Sequence, residues 1–521
     1  MSFIAQLKNT LNENYNVSVT ENGALGYKTT NHPLLDMNFK VTSYRKRSDN
    51  EIISDFMDAF RADALLAMKW LFYARDAREG LGERRLFRVI VKHLGVNYTD
   101  MMKALVPLFA EYGRYDDLLT LLDTPVRGDV IRYIKDTLTE DMKNVVAGKN
   151  VTLLAKWLPS ENASSEETRR TARVLIKELG ISPAQYRKML VKIRAYLNIV
   201  ESQMSRNNWG EIDYEAVPSK ANLLYNSAFL RHDEGRRRAF LSAVEKGEAK
   251  INSSVTFPHE IVHKYCSNYS GYYFDRCTVD QGLEALWKAL PDLVNGDDTT
   301  LVVADGSGSM TSTVGGGSSC SALEVANALA IYFAERAKGQ FKNTYITFST
   351  RPQLVNLNGS TLRDNLAIAL KHNEVANTNI EATFDLILNT AIRGKMTQDE
   401  MPKNILIISD MEFDSATRIG YSQRPDARLF AVIERKFKDA GYQMPRLVFW
   451  NVCSRTNTIP VTQNDLGVAL VSGFSVNTLK MVMGDALDPF KLLVETLNTE
   501  RYAPIEAILC ADNTVDPNYN L

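Results

Sequence analysis

From about residue 297, the chain alternates short apolar runs with amphipathic stretches, and this alternation constrains the fold more than any other feature. The apolar runs are "TTLVVAD", "NTYITFS", "KNILIISD", "PRLVFWNV" and "GVALVSG". Helical periodicity separates them, at residues 322–337, 380–391 and 427–438, and continues in "SVNTLKMVMG". Strands that are apolar throughout and alternate with helices are typical of a mostly parallel sheet covered on both faces. We therefore expect a doubly wound, Rossmann-like α/β domain here.

The preceding region, residues 51–290, has a helical period instead. "DALLAMKWLFYARDAREG" places five apolar residues on one helical face, and "GERRLFRVIVKHLG" repeats the pattern. Further helices are predicted at 101–111, 114–123, 128–146, 166–179, 183–199, 219–230, 234–246 and 280–290. Many short helices with brief connections indicate stacked pairs, as in HEAT-like helical-repeat domains, although no repeat of fixed length is present. The whole chain is therefore predicted to be α + α/β.

A chain of 521 residues is too long for a single core. The segment "PDLVNGDD" at 291–298 reads as a linker between the two large domains. We predict an amino-terminal arm or small sheet at 1–50, a helical-repeat domain at 51–296, the α/β domain at 297–495 and a carboxyl-terminal tail at 496–521.

Composition places the chain among ordinary proteins of the cytoplasm. No apolar run approaches the roughly 20 residues that a membrane span needs, and the amino terminus lacks the regions of a signal peptide. The five cysteines are scattered, odd in number and without C-x-x-C spacing. That pattern argues against a disulfide framework and against a thiolate zinc site. We therefore expect a cytoplasmic protein with no membrane partner.

Hard oxygen ligands follow the predicted strands. Asp305, Ser307 and Ser309 come after the first strand, Thr378 lies in the loop before a helix, and Asp410 follows "KNILIIS". Sites in parallel sheets lie at the carboxyl ends of strands. Carboxylates and hydroxyls without His or Cys suit Mg²⁺, or Mn²⁺ or Ca²⁺ in its place.

A metal held largely by hydroxyls is under-neutralised, so we expect it to take a further carboxylate from an acidic residue of a partner protein. Glycines at 306 and 308 are expected to let the backbone of this loop turn. The alternative is that "DGSGSM" is only a Gly-Ser turn. A phosphate loop is not indicated, because no Gly-Lys-Ser/Thr follows.

The D-x-S-x-S sequence at 305–309, with the later threonine and aspartate, resembles the metal-ion-dependent adhesion site of von Willebrand factor A domains. The resemblance covers about residues 297–495. It implies a domain that binds a protein ligand through its metal, with Asp305, Ser307, Ser309, Thr378 and Asp410 as the metal site and no catalytic residues.

The larger arrangement resembles the domain-of-unknown-function 2828 family. The segments that carry this resemblance are "FYARDAREGLGERRLFRVIV", "NNWGEIDYEAVPSKAN", "GEAKINSSVTFPHEIV", "VFWNV" and "GVALVSGFS", and it spans nearly the whole chain from about residue 30. That family couples a helical domain to a von Willebrand factor A domain, an architecture similar to that of the Ro autoantigen and other TROVE-module proteins. In those proteins a ring of helical repeats binds misfolded or small structured RNAs. The resemblance implies an RNA partner, structured or single-stranded, and a ribonucleoprotein.

The helical region offers cations for such a partner. Residues 151–200 contain nine Lys and Arg against four Glu, and "GRRRAF" adds three arginines. Phosphates need such charges, and Tyr186, Tyr196 or Trp209 could stack on bases. The alternative is an ordinary solvated helical face. The candidate RNA-binding residues are Lys156, Arg169, Arg170, Arg173, Lys177, Arg187, Lys188, Lys192, Arg194, Arg236, Arg237 and Arg238.

A competing signal is "FPHEIVHKY", which contains the H-E-x-x-H pattern of zinc hydrolases. In that reading His259 and His263 bind zinc, Glu260 is the general base and Glu284 is a third ligand. Pro258 indicates that the motif opens a short helix, which favours capping or packing roles for these residues instead.

We expect a non-enzymatic binding protein of two domains. The alternatives left open are a zinc-dependent hydrolase and a purely structural or assembly protein without RNA.

Overall fold

The computed structural model describes Phe3 and residues 15–267, 271–294, 299–415, 428–462, 466–479 and 487–511. These residues form two compact units. The sheet unit contains the described residues of 15–51, 55–59 and 256–498, and the helical unit contains those of 52–54, 60–255 and 499–511. The division differs from the predicted boundaries, because the predicted arm and residues 256–294 belong to the sheet unit. Residues 499–511 of the predicted tail belong to the helical unit.

A six-stranded sheet forms the centre of the sheet unit, with strand order β5-β4-β3-β6-β7-β8. Five strands are parallel, and only β5 runs antiparallel, against β4. The register pairs Val303 with Ile346 on one side and with Ile407 on the other. The strands are β3 (Thr300–Asp305), β4 (Thr344–Phe348), β5 (Gln353–Asn356), β6 (Asn404–Ser409), β7 (Arg446–Asn451) and β8 (Val468–Ser472).

All five apolar runs form strands, so the prediction of a mostly parallel sheet is confirmed. Strands β3, β7 and β8 are buried at every residue, as expected when both faces of a parallel sheet are covered. Strand β5 was not predicted, and three of its four residues are exposed or half-buried. A short edge strand carries no continuous apolar run, and so it lacks the signal by which the others were found.

The helices of the sheet unit include four close to their predicted positions, at 280–290, 322–337, 380–391 and 427–438. The best placed is Ala322–Arg336, which is rich in buried alanine and packs on β3 and β6. The helices of the unit are Pro33–Phe39, Pro258–Cys266, Gln281–Lys288, Ala322–Arg336, Leu362–Lys371, Ile380–Gly394, Leu429–Asp439 and Pro489–Leu497. Single 3₁₀ turns occur at Ser43–Arg45, Gly271–Arg276, Gly308–Thr311, Gly339–Phe341, Gln398–Glu400 and Val476–Thr478. The predicted helix in "SVNTLKMVMG" lies partly outside the described residues.

The predicted amino-terminal small sheet is a two-stranded hairpin of β1 (Ser18–Val19) and β2 (Leu25–Gly26). The hairpin does not stand alone. Single bridges join Gly23 to Asp414 and Tyr27 to Ile459, so it adds to the loops that follow β6 and β7.

The helical unit confirms most of the predicted helices. Its helices are Ala64–Arg75, Arg85–Asn97, Thr99–Leu105, Phe109–Tyr112, Arg127–Ala147, Leu154–Trp157, Glu166–Leu179, Pro183–Tyr196, Val200–Ser205, Ser219–His232, Glu234–Glu245 and Ala503–Ala511. The 3₁₀ helices are Val106–Leu108, Tyr115–Asp123, Trp209–Glu211 and Glu500–Tyr502, and the helix Asp49–Ala62 contributes residues to both units. The predicted helix at 101–111 is interrupted because Pro107 has no N–H to continue it.

Two features hold the helical unit together. Edge-to-face aromatic pairs join Phe72 to Phe87, Phe109 and Tyr112. Beside them, the fully buried Asp117 binds Arg75 at 2.8 Å and Arg88 at 2.7 Å. Within the described ranges, every helix is too short or too polar to traverse a bilayer.

Candidate functional site

The candidate site lies where two neighbouring parallel strands end. Asp305 is the last residue of β3, and Asp410 follows the last residue of β6. Strand β3 lies at the topological switch point of the sheet, because its neighbours are β4 on one side and β6 on the other. The loops that follow strands on the two sides of a switch point lead away from each other, which opens a crevice at the carboxyl edge. The topology therefore places both aspartates at the position where folds of this kind bind ligands.

The polar side chains at this edge are linked by hydrogen bonds. Ser409 Oγ donates to Asp305 at 2.6 Å, and Ser307 N–H donates to the same carboxyl at 2.9 Å. Ser307 Oγ lies 3.0 Å from Ser309 Oγ. The Ser309 hydroxyl lowers the pKa of Asp410, so these two side chains are also close. The fold thus brings four of the five predicted metal-site residues together at one edge.

Both carboxyl groups are buried and short of positive charge. Burial, together with the charge of Asp410, raises the pKa of Asp305 to about 7. Burial likewise raises the pKa of Asp410 to about 6, although the Arg455 guanidinium acts in the opposite direction. Removing a carboxylate from water without a full counter-charge disfavours its ionised form. A bound cation is one way in which such a pair can be neutralised.

Thr378 is held at the same edge by loop contacts. Val375 N–H donates to Gly306 O at 2.9 Å, and Gly308 N–H donates to Ala376 O at 2.9 Å. These bonds attach the loop that carries Thr378 to the Asp305 loop. Thr378 is buried, and its Oγ1 accepts a hydrogen bond from Asn22 Nδ2 at 3.1 Å.

The two loop glycines do not act as predicted, because neither has a positive φ. A Cβ at Gly306 would lie 2.8 Å from Thr347 Oγ1, whereas one at Gly308 would make only ordinary contacts. Gly306 is therefore needed for close approach to β4 and not for the turn.

A cation that was not predicted faces Asp410. Arg455, in the loop after β7, places Nη1 3.2 Å from Asp410 Oδ2 and 3.5 Å from Ser309 O. Its Nε donates to Glu21 of the hairpin at 2.6 Å. No local pattern links residues 21, 410 and 455, so only the folded chain could reveal this arrangement.

A second missed residue is Glu412, which is fully buried. Its carboxylate accepts hydrogen bonds from the N–H groups of Glu21 at 2.8 Å, Arg455 at 2.7 Å and Thr456 at 2.9 Å. The hydroxyls of Ser454 and Thr456 also lie within 3.3 Å of it. Glu412 therefore joins the hairpin to the loop after β7.

The H-E-x-x-H residues are not gathered around one point. Glu260 caps its own helix, because its carboxylate accepts from Phe257 N–H at 2.9 Å. The ring of His259 packs against Phe257 and Phe474. The helix Pro258–Cys266 is short and begins with proline. These are the capping and packing roles that Pro258 favours.

The proposed third zinc ligand, Glu284, is engaged elsewhere. It accepts hydrogen bonds from Leu362 N–H at 2.8 Å, Arg363 N–H at 3.1 Å and Tyr265 OH at 2.7 Å. His263 faces Glu324 instead, with 3.1 Å between Nδ1 and Oε2. The arrangement required for an H-E-x-x-H hydrolase is therefore not present at these four residues.

The predicted RNA-binding residues of the helical unit fall into three groups. Lys156, Arg169, Arg173 and Arg238 form ion pairs with nearby glutamates. Arg194, Arg236 and Arg237 bind groups of their own unit, and Arg237 is fully buried. The remaining five candidates are exposed: Arg170, Lys177, Arg187, Lys188 and Lys192.

The aromatic candidates divide similarly. Tyr186 is buried, and its hydroxyl donates to Pro159 O at 2.8 Å. Trp209 stacks on His232 with 4.4 Å between the ring centroids. Tyr196 is 39% exposed and remains accessible at the end of its helix.

A cleft of about 690 Å³ lies in the same part of the helical unit. Lys156, Trp157, Arg194 and Arg206 line it, together with several serines. Lys156 also pairs with Glu201 on its wall, at 3.4 Å.

Comparison with known proteins gives two family matches, and the first of them crosses the boundary between the two units at residue 256. Residues 177–295 match the family model "Domain of unknown function (DUF2828)", and residues 299–501 match "Domain of unknown function (DUF7788)". The chain is 30% identical over 543 residues to uncharacterized protein L728 of Acanthamoeba polyphaga mimivirus, an alignment that covers 96% of this chain and 90% of that protein. The chain therefore belongs to the domain-of-unknown-function 2828 family, carries a DUF7788 region on its carboxyl side and is a relative of the mimivirus protein.

Proposed function

We propose that the sheet unit is a von Willebrand factor A-like domain that binds Mg²⁺ at its carboxyl edge and docks an acidic side chain of a partner protein. The protein acts in the cytoplasm as a binding protein and not as an enzyme. The observation that carries the proposal is the placement of the buried Asp305, Ser307 and Asp410 beside the half-buried Ser309 at one edge of the sheet.

The donor set fits Mg²⁺, which the same site would exchange for Mn²⁺ or Ca²⁺. Every side chain in the set offers oxygen, as hard cations prefer. Adjacent ligands of an octahedral Mg²⁺ lie about 2.9 Å apart, and Ser307 Oγ and Ser309 Oγ are separated by 3.0 Å. Thr378, on the adjoining loop, would complete the protein ligands, and the remaining position would accept the partner's carboxylate.

Arg455 is the natural competitor of the cation. Its guanidinium lies 3.2 Å from Asp410 and also bonds Glu21. Two positive charges beside one carboxylate repel each other, so binding of Mg²⁺ would weaken the contact between Arg455 and Asp410. The affinity of the site for Mg²⁺ should therefore rise when Arg455 is removed.

Titration calorimetry of the EDTA-treated, full-length protein with Mg²⁺ alone tests the metal. We expect one site per chain, no binding in Asp305→Ala and at least tenfold tighter binding in Arg455→Ala. Asp399→Asn, an exposed carboxylate outside the site, serves as the matched control and should bind like the wild type. Thermal unfolding of each variant separates loss of metal from loss of fold. Absence of Mg²⁺ binding by the wild type at millimolar concentration would overturn the proposal.

For the helical unit we propose RNA binding of the Ro and TROVE kind, on a helical-repeat scaffold. The observation that favours it is the group of exposed cations on two helices, Glu166–Leu179 and Pro183–Tyr196. Because Arg169 and Arg173 both pair with Glu166, we assign phosphate binding to Arg170, Arg187 and Lys188 and their neighbours. A structural or assembly role without RNA is the outcome if this surface binds nothing.

Fluorescence anisotropy with a labelled single-stranded RNA of mixed sequence tests this surface at several salt concentrations. Replacing Arg170, Arg187 and Lys188 by Glu should weaken binding by at least tenfold. It should also reduce the magnitude of the slope of log K against log salt by about two, since each lost phosphate contact removes roughly 0.7. Arg238→Glu, a pair-forming cation on another helix, should change little. An unchanged slope in the triple variant would refute the assignment.

A further inference from the structure

A second cluster of metal-ligating side chains lies in the sheet unit, apart from the strand-end residues. The helix Pro258–Cys266 packs against the helix Ala322–Arg336. Their contact brings together His263, Cys320 and Glu324, whose ligand atoms all lie within 4.8 Å of one another.

The histidine is oriented as a metal ligand would be. Its Nδ1 lies 3.2 and 3.1 Å from the two carboxylate oxygens of Glu324, and its Nε2 lies 3.0 Å from Ser319 Oγ. A proton on Nε2 would be donated to Ser319, which leaves the lone pair of Nδ1 directed into the cluster. Hydrogen bonding at the second ring nitrogen is the usual means by which proteins orient a ligating histidine.

Cys266, on the same helix as His263, is the candidate for a fourth ligand, although it is not one of the three residues whose ligand atoms lie within 4.8 Å of one another. Cys266 is three residues after His263, so both side chains lie on one helical face. Cys320 Sγ donates a hydrogen bond to Ser321 O at 3.6 Å. The charge of Glu324 acts on both Cys266 and Cys320, so both thiols lie near its carboxylate.

We propose that His263, Cys266, Cys320 and Glu324 bind one Zn²⁺ ion in a tetrahedral site. On binding, two Zn–S bonds form and the two thiol protons leave to water, as thiolate ligation requires. Ligands of tetrahedral zinc lie about 3.5 Å apart. The widest separation among His263, Cys320 and Glu324 therefore has to close by on the order of 1 Å.

The chemistry selects zinc over the cation proposed for the strand ends. Thiolate and imidazole are soft or borderline ligands that zinc prefers, whereas Mg²⁺ requires oxygen. The capping role of Glu324 is compatible with the site: Oε2 accepts from Ser321 N–H at 2.6 Å, which leaves Oε1 for the metal.

The exposure of the site and the number of its ligands are consistent with a structural zinc ion. The side chains of His263 and Glu324 are 23% and 15% exposed, and Ser319 beside them is exposed, whereas Cys320 is buried. An ion can enter from the Ser319 side. Four protein ligands leave no open position for substrate, so the zinc would join the helix Pro258–Cys266 to the start of the helix Ala322–Arg336.

Zinc content and cobalt absorption of the full-length protein test the site. We expect one Zn²⁺ per chain after reconstitution and dialysis, and a thiolate-to-cobalt charge-transfer band when Co²⁺ replaces zinc. Cys266→Ser and Cys320→Ser should each weaken zinc binding by at least tenfold and reduce the band. Cys277→Ser and Cys510→Ser are matched controls and should retain both signals. Asp305→Ala should also retain them, which distinguishes this site from the proposed Mg²⁺ site.

A measurement on the wild-type protein tests the zinc site without relying on variants, which could fail to fold. Zinc should protect Cys266 and Cys320 from alkylation by iodoacetamide, and removal of zinc by a chelator should expose them, as read by peptide mass mapping. The proposal is overturned if the wild type retains no zinc, if the double variant Cys266→Ser/Cys320→Ser retains it, or if zinc leaves the alkylation of both thiols unchanged.

Discussion

Charged residues are concentrated in two regions of the molecule, which differ in how far they bury them. One region is the carboxyl edge of the sheet, and the other is the pair of basic helices Glu166–Leu179 and Pro183–Tyr196. At the sheet edge Asp305, Asp410 and Glu412 are all buried. On the helices most of the lysines and arginines are exposed. Parallel strands force their ends to converge, whereas a helix distributes its residues around its axis. Charged residues at the ends of parallel strands therefore predict a binding site, whereas charged residues on a helix do not predict one by themselves.

The substitution Glu412→Ala tests this difference with the largest expected effect on stability. Glu412 is fully buried and accepts hydrogen bonds from three backbone N–H groups. Its loss leaves these donors without an acceptor, and we expect unfolding to become easier by about 4 kcal/mol. Chemical denaturation of the purified protein measures the effect.

The matched control is Glu434→Ala, which removes a half-buried carboxylate paired with Lys438 at 3.4 Å. Such a pair contributes about 0.5 kcal/mol or less. Equal effects of Glu412→Ala and Glu434→Ala would show that burial at the sheet edge carries no special weight.

Arg237→Ala tests whether a buried charge also stabilises the helical unit, in which most of the candidate cations are exposed. Arg237 is fully buried, donates to Asn222 at 3.1 Å and to Asn226 at 2.9 Å, and lies 5.1 Å from the Tyr214 ring centroid. We expect a loss of about 3 kcal/mol in stability, from lost hydrogen bonds and packing. The neighbouring Arg238→Ala should change stability by less than about 0.5 kcal/mol, because the Arg238 side chain is 58% exposed. Thermal unfolding compares the two, and a larger effect of Arg238→Ala would contradict the assignment.

The smallest expected effect is that of Arg194→Ala. Its guanidinium donates to Ala155 O at 2.7 Å, Leu158 O at 2.8 Å and Ser160 Oγ at 2.9 Å. Loss of these bonds should cost about 1–2 kcal/mol, as measured by urea denaturation. The exposed Lys192, on the same helix, provides the control. If Lys192→Ala were as destabilising as Arg194→Ala, the contacts of Arg194 would not account for its role.

The contrast between helix and sheet also explains which elements could be predicted. The five apolar runs and the helix Glu166–Leu179 were placed correctly because periodicity and capping are local signals. The edge strand β5 and the helix Leu362–Lys371 were missed. The first is short and largely polar, and the second lies in a stretch for which no helical pattern was recognised.

The residues of the candidate sites also fall into those that local sequence patterns predicted and those that they could not predict. The positions of Asp305 and Asp410 followed from the rule that parallel strands present their carboxyl ends at one edge. Arg455 and Glu21 could not be predicted there, because they reach Asp410 from segments far away in the sequence. The cysteine spacing argued against a thiolate zinc site, since spacing rules detect ligands on one short segment. His263 and Cys266 lie on one helix, Glu324 lies on another, and Cys320 lies in the segment just before the second helix.

The sequence by itself determined the order of elements, the buried character of the strands and the edge at which Asp305 and Asp410 lie. These depend on hydrophobic periodicity and chain direction, which each segment carries within itself. The tertiary structure alone decided that Arg455 faces Asp410, that Glu412 anchors the hairpin, that Arg237 is buried and that His263 faces Glu324. Such contacts join residues tens to hundreds of positions apart, and their formation depends on how whole elements pack, a quantity that no local pattern encodes.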